Sequence, residues 1–239
     1  MNPPTQALSA VPLAAQRVRL ALFDLDHTLI PLDSDYAWGQ FTVALGWRDA
    51  DSFTRANDSF YAHYKAGTLD IAEYVRFATG AVREHGRERA LEAHHRFMQD
   101  VILPALRESA LDLVRAHQAA GDEVVIVTAT NEFVTRPIAK AFGVDELIAI
   151  DLEHDAQGNP TGAIRGTPSF REGKVARVEQ WLSARGLNWA SVEHSTFYSD
   201  SINDLPLLEK VHEPVATNPD ARLQAIAIER GWRILNLFE

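Results

Sequence analysis

The chain has 239 residues, 46% of them hydrophobic and 23% charged, with a formal net charge of −10. That length supports one substantial core plus a smaller module, and the acidic balance argues against nucleic acid as a partner, since a phosphate backbone would be repelled. With no cysteine, disulfides, cysteine-ligated zinc and thiol nucleophiles are excluded.

Residues 1–17 are rich in proline and small side chains, without a basic start or a solid apolar centre. They are expected to form a mobile tail rather than a signal peptide. No apolar run approaches the roughly 18 residues a membrane span needs, so no membrane partner is expected, and the absence of cysteine fits an expected cytoplasmic location.

Val18 to Leu22 then reads as a buried strand that runs into Phe23-Asp24-Leu25-Asp26-His27-Thr28. In an extended chain Asp24 and Asp26 point the same way. Two carboxylates side by side repel, unless a cation joins them or one keeps its proton. That is the equipment of a metal-assisted acid/base site. His27, turned the other way, reads as structural.

From Ser34 to about Leu103 the pattern changes. Tyr36, Trp38, Phe41, Phe53, Phe60, Tyr64, Tyr74 and Phe77 recur at helical spacing, and Gly46, Gly67 and Gly86 punctuate the stretch. A bundle of about four helices is predicted, with Ser34 and Asp35 at the first cap. The histidine pair His94-His95 lacks metal-ligand spacing.

Pro104 is read as starting a helix that runs to Ala119, followed by a strand over Glu123 to Thr128. Phe133 to Phe142 reads as a helix with Pro137 in its first turn. Leu147 to Glu153 reads as one strand, and His154 to Pro160 as a turn into a short return strand. A helix over Arg171 to Arg185 carries Lys174. A strand runs from Ser195 into Asp200, and a helix spans Asp204 to Lys210. Short strands near Val215 and Trp232 to Leu235 flank a last helix.

Strands alternating with helices predict an α/β, Rossmann-like three-layer sandwich with a parallel sheet, interrupted after the first strand by a helical-bundle cap. Residues 18–33 and 104–239 are the expected catalytic core, and 34–103 the cap. Ligands of such sheets bind beyond the carboxyl ends of the strands. The strand ends at Asp24, Thr128 and Asp200 are therefore expected to face one crevice, with Lys174 reaching in.

The motif D-x-D-x-T at Asp24 to Thr28, the strand-end Thr128, Lys174, and D-x-x-N-D at Asp200 to Asp204 together resemble the haloacid dehalogenase superfamily. The nearer likeness is to its phosphoserine phosphatase-like branch, which includes phosphoserine and histidinol-phosphate phosphatases. The resemblance implies Mg²⁺-dependent hydrolysis of a small phosphorylated metabolite. Asp24 would be the nucleophile and Asp26 the acid/base. Thr128, the amide of Ala129, Thr28 and Lys174 would serve the phosphate. Asp24, the main-chain carbonyl of Asp26, and Asp200 would hold Mg²⁺, supported by Asp204 and Asn203.

Asp33, Asp35, Asn203 and Arg76 are candidate substrate contacts. Two acids beside an acidic site suggest a leaving group with a cationic nitrogen. The simpler alternatives are bracing by Thr28, helix capping by Asn203, helix initiation by Ser34 and Asp35, and a surface position for Arg76. Ala129, where many phosphoserine phosphatases have glycine, counts against serine phosphate. A non-catalytic phospho-ligand binder and a dehalogenase are the competing functions. Loss of a key residue would mark the first, and the full acid set speaks against the second.

Overall fold

The computed structural model describes residues 17–238, so the expected N-terminal tail falls almost wholly outside the described residues. The described chain opens with β1 (Val18–Phe23), then α1 (Ser34–Ala44), α2 (Ala50–Ala66), α3 (Ile71–Ala78), α4 (Gly80–His85) and α5 (Arg87–Phe97). A π-helical turn over Met98–Ile102 carries α5 on into α6 (Leu103–Ala105). Then come α7 (Glu108–Ala119), β2 (Glu123–Asn131), α8 (Glu132–Ala141), β3 (Glu146–Ile150), β4 (Leu152–His154) and β5 (Pro160–Ile164). The chain continues through α9 (Glu172–Ser183), β6 (Val192–Ser199), α10 (Leu205–Leu208), β7 (Glu213–Thr217), α11 (Ala221–Arg230) and β8 (Arg233–Leu235).

Six strands form a sheet in the order β3-β2-β1-β6-β7-β8, and all its pairings are parallel. The chain winds outward from β1 to β3, then returns to place β6 on the other side of β1. Such a reversal is the topological switch point, where ligands bind in open α/β sheets. Phe23 is level with Ile126 on one side and Tyr198 on the other, so the ends of β1, β2 and β6 lie together.

Both faces of the sheet are buried. Phe23, Ile126 and Tyr198 pack on one face with Trp38, Phe97 and Val134. Leu20, Leu22, Val125 and Phe197 pack on the other with Val178, Leu182 and Leu207. Alternation along β1 divides these sets, giving the three-layer α/β sandwich. Trp38 of α1 and Phe97 of α5 share one cluster with the sheet residues. The inserted helices are thus rooted in the core, each such side chain contributing about 1.5–3 kcal/mol through burial.

Several local expectations need correcting. Asp33 caps α1, its carboxylate accepting from the Tyr36 N–H, so Ser34 is already inside the helix. Pro104 does not start the long helix. The last inserted helix runs on to Ala105, and extended Leu106 and Arg107 separate it from α7. Pro137 lies inside α8, beyond its first turn. The stretch read as one strand is two, because β3 leaves the sheet after Ile150 and β4 pairs instead with β5. The helix predicted to Lys210 stops at Leu208. Among the described residues, no helix is long and apolar enough to cross a membrane.

Candidate active site

The centre of the site is a buried ion cluster. Lys174, in the first turn of α9, donates to Asp24 Oδ1 at 2.8 Å and to Asp204 Oδ2 at 2.7 Å. Its side chain is only 2% exposed. A lysine is buried so fully only when its charge is met. Burial alone would lower its pKa, but Asp204 and Asp24 outweigh that and raise it, so it stays an ammonium. Ser199 at the end of β6 donates to Asp204 Oδ2 at 2.7 Å. Asp204 is still pushed up to about 6, chiefly by burial, with Lys174 pulling the other way.

Asp24 and Asp26 do not point the same way. The strand ends at Phe23, so its alternation does not extend to Asp26. Asp24 turns toward Lys174, whereas Asp26 accepts from the Ser34 N–H at 2.9 Å and from the Thr130 hydroxyl at 2.8 Å. Burial, with Asp33 adding to it, pushes the Asp26 carboxyl up to about 6. One acid is thus ion-paired while its neighbour is poised to carry a proton near neutrality, the divided state that acid/base chemistry requires.

Thr28 is fully buried, and its hydroxyl is committed to Asp200. It donates to Asp200 Oδ1 at 3.2 Å and accepts from the Asp200 N–H at 3.0 Å. It therefore braces the two acidic loops against each other, the simpler of the two roles expected for it. Thr128 is buried at the end of β2, its hydroxyl accepting from the Thr130 N–H at 3.1 Å, with half-buried Ala129 between them.

The side chains of Asp24, Asp26, Asp200 and Asp204 do not converge on one point, and for Asp26 the expectation concerns its main-chain carbonyl. Among the described residues, no three His, Asp or Glu side chains converge as metal ligands. The reason is visible in the contacts: Asp26 is turned to Ser34 and Thr130, and Lys174 stands between Asp24 and Asp204. Charge nevertheless fits a hard cation. Asp200 is raised well above the usual carboxylate range, first by burial and then by Asp24 and Asp204. Three acids facing one ammonium leave negative charge uncompensated, and the donors are all oxygens. Asp24, Asp200 and the Asp26 main-chain carbonyl suit Mg²⁺, which keeps several waters.

The candidate substrate contacts separate. Asp35 is buried, accepts from Asn131 Nδ2 at 3.2 Å, and is pushed up to about 7 by burial first and by Asp33 second. Asp33 remains half-buried beside it. Arg76 is exposed on α3 and lines an outer groove of about 400 Å³ with Arg48, Phe53 and Arg83. It does not join the acid cluster. The cap arginine whose charge bears on Asp35 is Arg48, which also donates to the Phe77 carbonyl at 2.7 Å. Asn203 is buried, and its Oδ1 accepts from Arg171 at 3.4 Å. Ser201, not Asn203, caps the short helical turn there.

Sequence reading passed over Thr130, Ser199, Asn131, Tyr64 and Arg171. Thr130 carried a signal, since it shares a face with Thr128 two residues earlier. Asn131 carried another, as an N-cap at the strand–helix junction, where it accepts from the Val134 N–H. His27 is exposed, with its carbonyl accepting from Asn218, and His94 is buried against the Val134 carbonyl, so both are structural.

With this geometry in place, the comparisons with known proteins are specific. The chain is 44% identical to a histidinol-phosphatase of Neisseria meningitidis serogroup C (strain 8013), over 91% of this chain and 98% of that protein. A crystal structure of a protein of unknown function from Bordetella pertussis Tohama I is 51% identical, with a TM-score of 0.88, covering 93% of this chain and all of that one. A phosphoserine phosphatase solved as an analogue of its phospho-aspartyl intermediate shares the fold, with a TM-score of 0.64 at 17% identity over 92% of this chain and 93% of that one. The model of the haloacid dehalogenase-like hydrolases matches residues 21–209, and the chain belongs to that family.

Proposed function

We propose that this hydrolase is a Mg²⁺-dependent phosphatase of small phosphate monoesters, working through an aspartyl-phosphate on Asp24, and that its substrate carries an amino group, as histidinol phosphate does. The observation that carries this reading is the contrast between Asp24, held by Lys174, and Asp26, pushed up to about 6. Lys174 engages Oδ1 of Asp24, leaving Oδ2 to attack phosphorus. As that bond forms, the ester P–O bond breaks and Asp26 gives its proton to the leaving oxygen. Asp26, now a carboxylate, takes a proton from the water that attacks the acyl phosphate. Inorganic phosphate leaves and Asp24 is restored.

The phosphoryl group is dianionic, so placing positive charge and donors accounts for most of the rate. Lys174, the Thr128 hydroxyl and the Ala129 amide are the donors this chain offers. When bound, Mg²⁺ would offset charge on the phosphoryl oxygens. The inserted helices α1 to α5 would close over the site, exclude water and limit substrates to small metabolites.

Asp33 raises both Asp26 and Asp35 electrostatically, so these three acids form a second negative region beside the phosphate site. An ammonium on the leaving group would relieve that repulsion. Asp33 and Asp35 each hold an internal hydrogen bond, Asp33 as the α1 cap and Asp35 with Asn131, but Asp35 is buried, and so half-buried Asp33 is the better direct contact. Phosphoserine would also bring a carboxylate needing a cation. Arg76 is exposed elsewhere, Arg48 caps α3, and Arg171 is held by Asn203. These commitments favour an amino alcohol phosphate lacking a carboxylate. The similarity to a histidinol-phosphatase supports the same choice.

The test compares kcat/KM for histidinol phosphate, phosphoserine and a neutral ester of similar size, with and without Mg²⁺. A charge-assisted contact predicts a preference of about ten- to hundredfold for histidinol phosphate over the neutral ester. A preference for phosphoserine would overturn the substrate assignment.

A further inference from the structure

Arg171 has a backbone conformation that residues with a Cβ rarely adopt, with φ 53° and ψ −124°. Such a conformation persists where the surroundings hold it, and it clusters at functional sites. Here it lies at the entry to α9, and the Arg171 carbonyl accepts from the Lys174 N–H at 3.0 Å. The turn is tightly wound. A Cβ on Gly173 would lie 2.0 Å from the Pro168 carbonyl oxygen, so only glycine fits there.

The Arg171 side chain makes a different set of contacts. Its guanidinium lies 5.3 Å from the Phe170 ring centroid, and Nε and Nη2 each approach Asn203 Oδ1 at 3.4 Å. Nη2 also lies 2.5 Å from where a Cβ on Gly67 would stand. Gly67 is the left-handed cap that ends α2. Three residues earlier, the Tyr64 hydroxyl is 2.9 Å from Ser201 Oγ. The end of α2 therefore meets the core at two points, Tyr64 on Ser201 and Gly67 against Arg171, which reaches Asn203 in the same turn. Within that turn, Asn203 is 8% exposed, and among the described residues its Nδ2 has no hydrogen-bond partner of regular geometry. The next residue, Asp204, holds Lys174.

We propose that Arg171 is a positioning residue that ties the end of α2 to the Asn203 amide, so that Asn203, Asp204 and Lys174 reach working geometry only with the inserted helices docked. A planar guanidinium can meet Asn203, Phe170 and the bare face of Gly67 at once, whereas an ammonium cannot. The link passes through groups that face the phosphate rather than the leaving group. Its loss acts on turnover, not on substrate affinity. This inference rests on the phosphatase reading only for its kinetic half.

The experiment compares wild type with Arg171→Ala, Arg171→Lys, Arg171→Gly and Gly67→Ala. The kinetics use both p-nitrophenyl phosphate and histidinol phosphate. Arg171→Ala lowers kcat by about ten- to hundredfold, the scale of a misplaced catalytic group, and changes KM by less than about threefold. Arg171→Lys fails to rescue. Arg171→Gly relieves the backbone and keeps or raises Tm, yet loses kcat as Arg171→Ala does, which a purely structural arginine would not do. Gly67→Ala, on the far side of the junction, lowers kcat in the same sense. Hydrogen exchange adds a readout independent of turnover: in Arg171→Ala the amides of Gly67, Thr68, Asn203 and Asp204 lose protection together.

A kcat within twofold of wild type in Arg171→Ala overturns the proposal, as does a loss confined to KM. Wild type inactive on both esters would instead count against the phosphatase reading. In that case exchange decides, and unchanged protection at Gly67 and Asn203 overturns the link.

Discussion

Lys174 Nζ and Asp24 Oδ1 lie 2.8 Å apart although 150 residues separate them in the chain. β1 ends just before Asp24 and Lys174 lies in the first turn of α9, and Lys174 also donates to Asp204. Burial makes this arrangement costly to break, because each partner left alone would be an uncompensated charge.

Lys174→Met therefore loses on two counts. Three acids are left facing one another, and stability falls by about 3–5 kcal/mol in urea unfolding at pH 7. Turnover falls below one-thousandth of wild type, roughly what removing a major charge-stabilising group costs. A stable Lys174→Met with near wild-type kcat would show that the ion cluster is not catalytic.

Asp26 predicts a dependence on the leaving group. Asp26→Asn cannot deliver a proton, so an alkyl phosphate, whose leaving oxygen needs one, loses about 10²–10⁴-fold in kcat/KM. p-Nitrophenyl phosphate, with a stable leaving anion, loses far less. The Asp26 carboxyl is raised to about 6, so wild-type kcat/KM for the alkyl ester falls as pH rises through that region and the acid form is depleted. Equal losses for both esters would remove Asp26 as proton donor.

Much of this site was readable from the sequence, and the reason is local. Strand ends, helix caps and a lysine in the first turn of a helix are set by short-range patterns, and a parallel sheet brings strand ends together. What stayed hidden depends on contacts across the fold. Nothing local says that Arg76 faces outward while Arg48 bears on Asp35, or that Thr28 is committed to Asp200. Asp26 misled because the strand stops at Phe23, and alternation cannot be carried past a strand end. Leu147 to Glu153 misled because an apolar run does not reveal that it changes sheets after Ile150.

The two acids beside the phosphate site are separable by substitution. Asp33→Asn narrows the preference for an amino-bearing ester over a neutral one by about tenfold, as expected for one charge-assisted contact. Asp35→Asn has a smaller effect on that ratio, because Asp35 is buried whereas Asp33 is half-buried. The measurement is kcat/KM for both esters in each variant. An unchanged ratio in Asp33→Asn would remove Asp33 as the amine contact.

His94 predicts a pH dependence of stability. Burial lowers its pKa from 6.5 to about 4, with the Val134 carbonyl opposing. The unfolded chain binds this proton at higher pH than the folded chain, so stability present above about pH 6.5 is lost as pH falls toward 4. The full effect is roughly 3 kcal/mol. Nearby carboxylates with raised pKa act in the opposite direction, so the comparison is with His94→Leu. The advantage of wild type over that variant shrinks by about this amount between pH 7 and pH 4 in urea titrations.

The central claim is that Asp24 carries the phosphoryl group, and it is tested most directly by rapid acid quench during turnover followed by peptide mass spectrometry. A phosphoryl adduct on the peptide containing Asp24, absent from Asp24→Asn, is the predicted result. Turnover in ¹⁸O-water should also place the label in inorganic phosphate. An adduct on any other residue, or a turning-over enzyme that never shows one while Asp24→Asn keeps wild-type kcat, would contradict it.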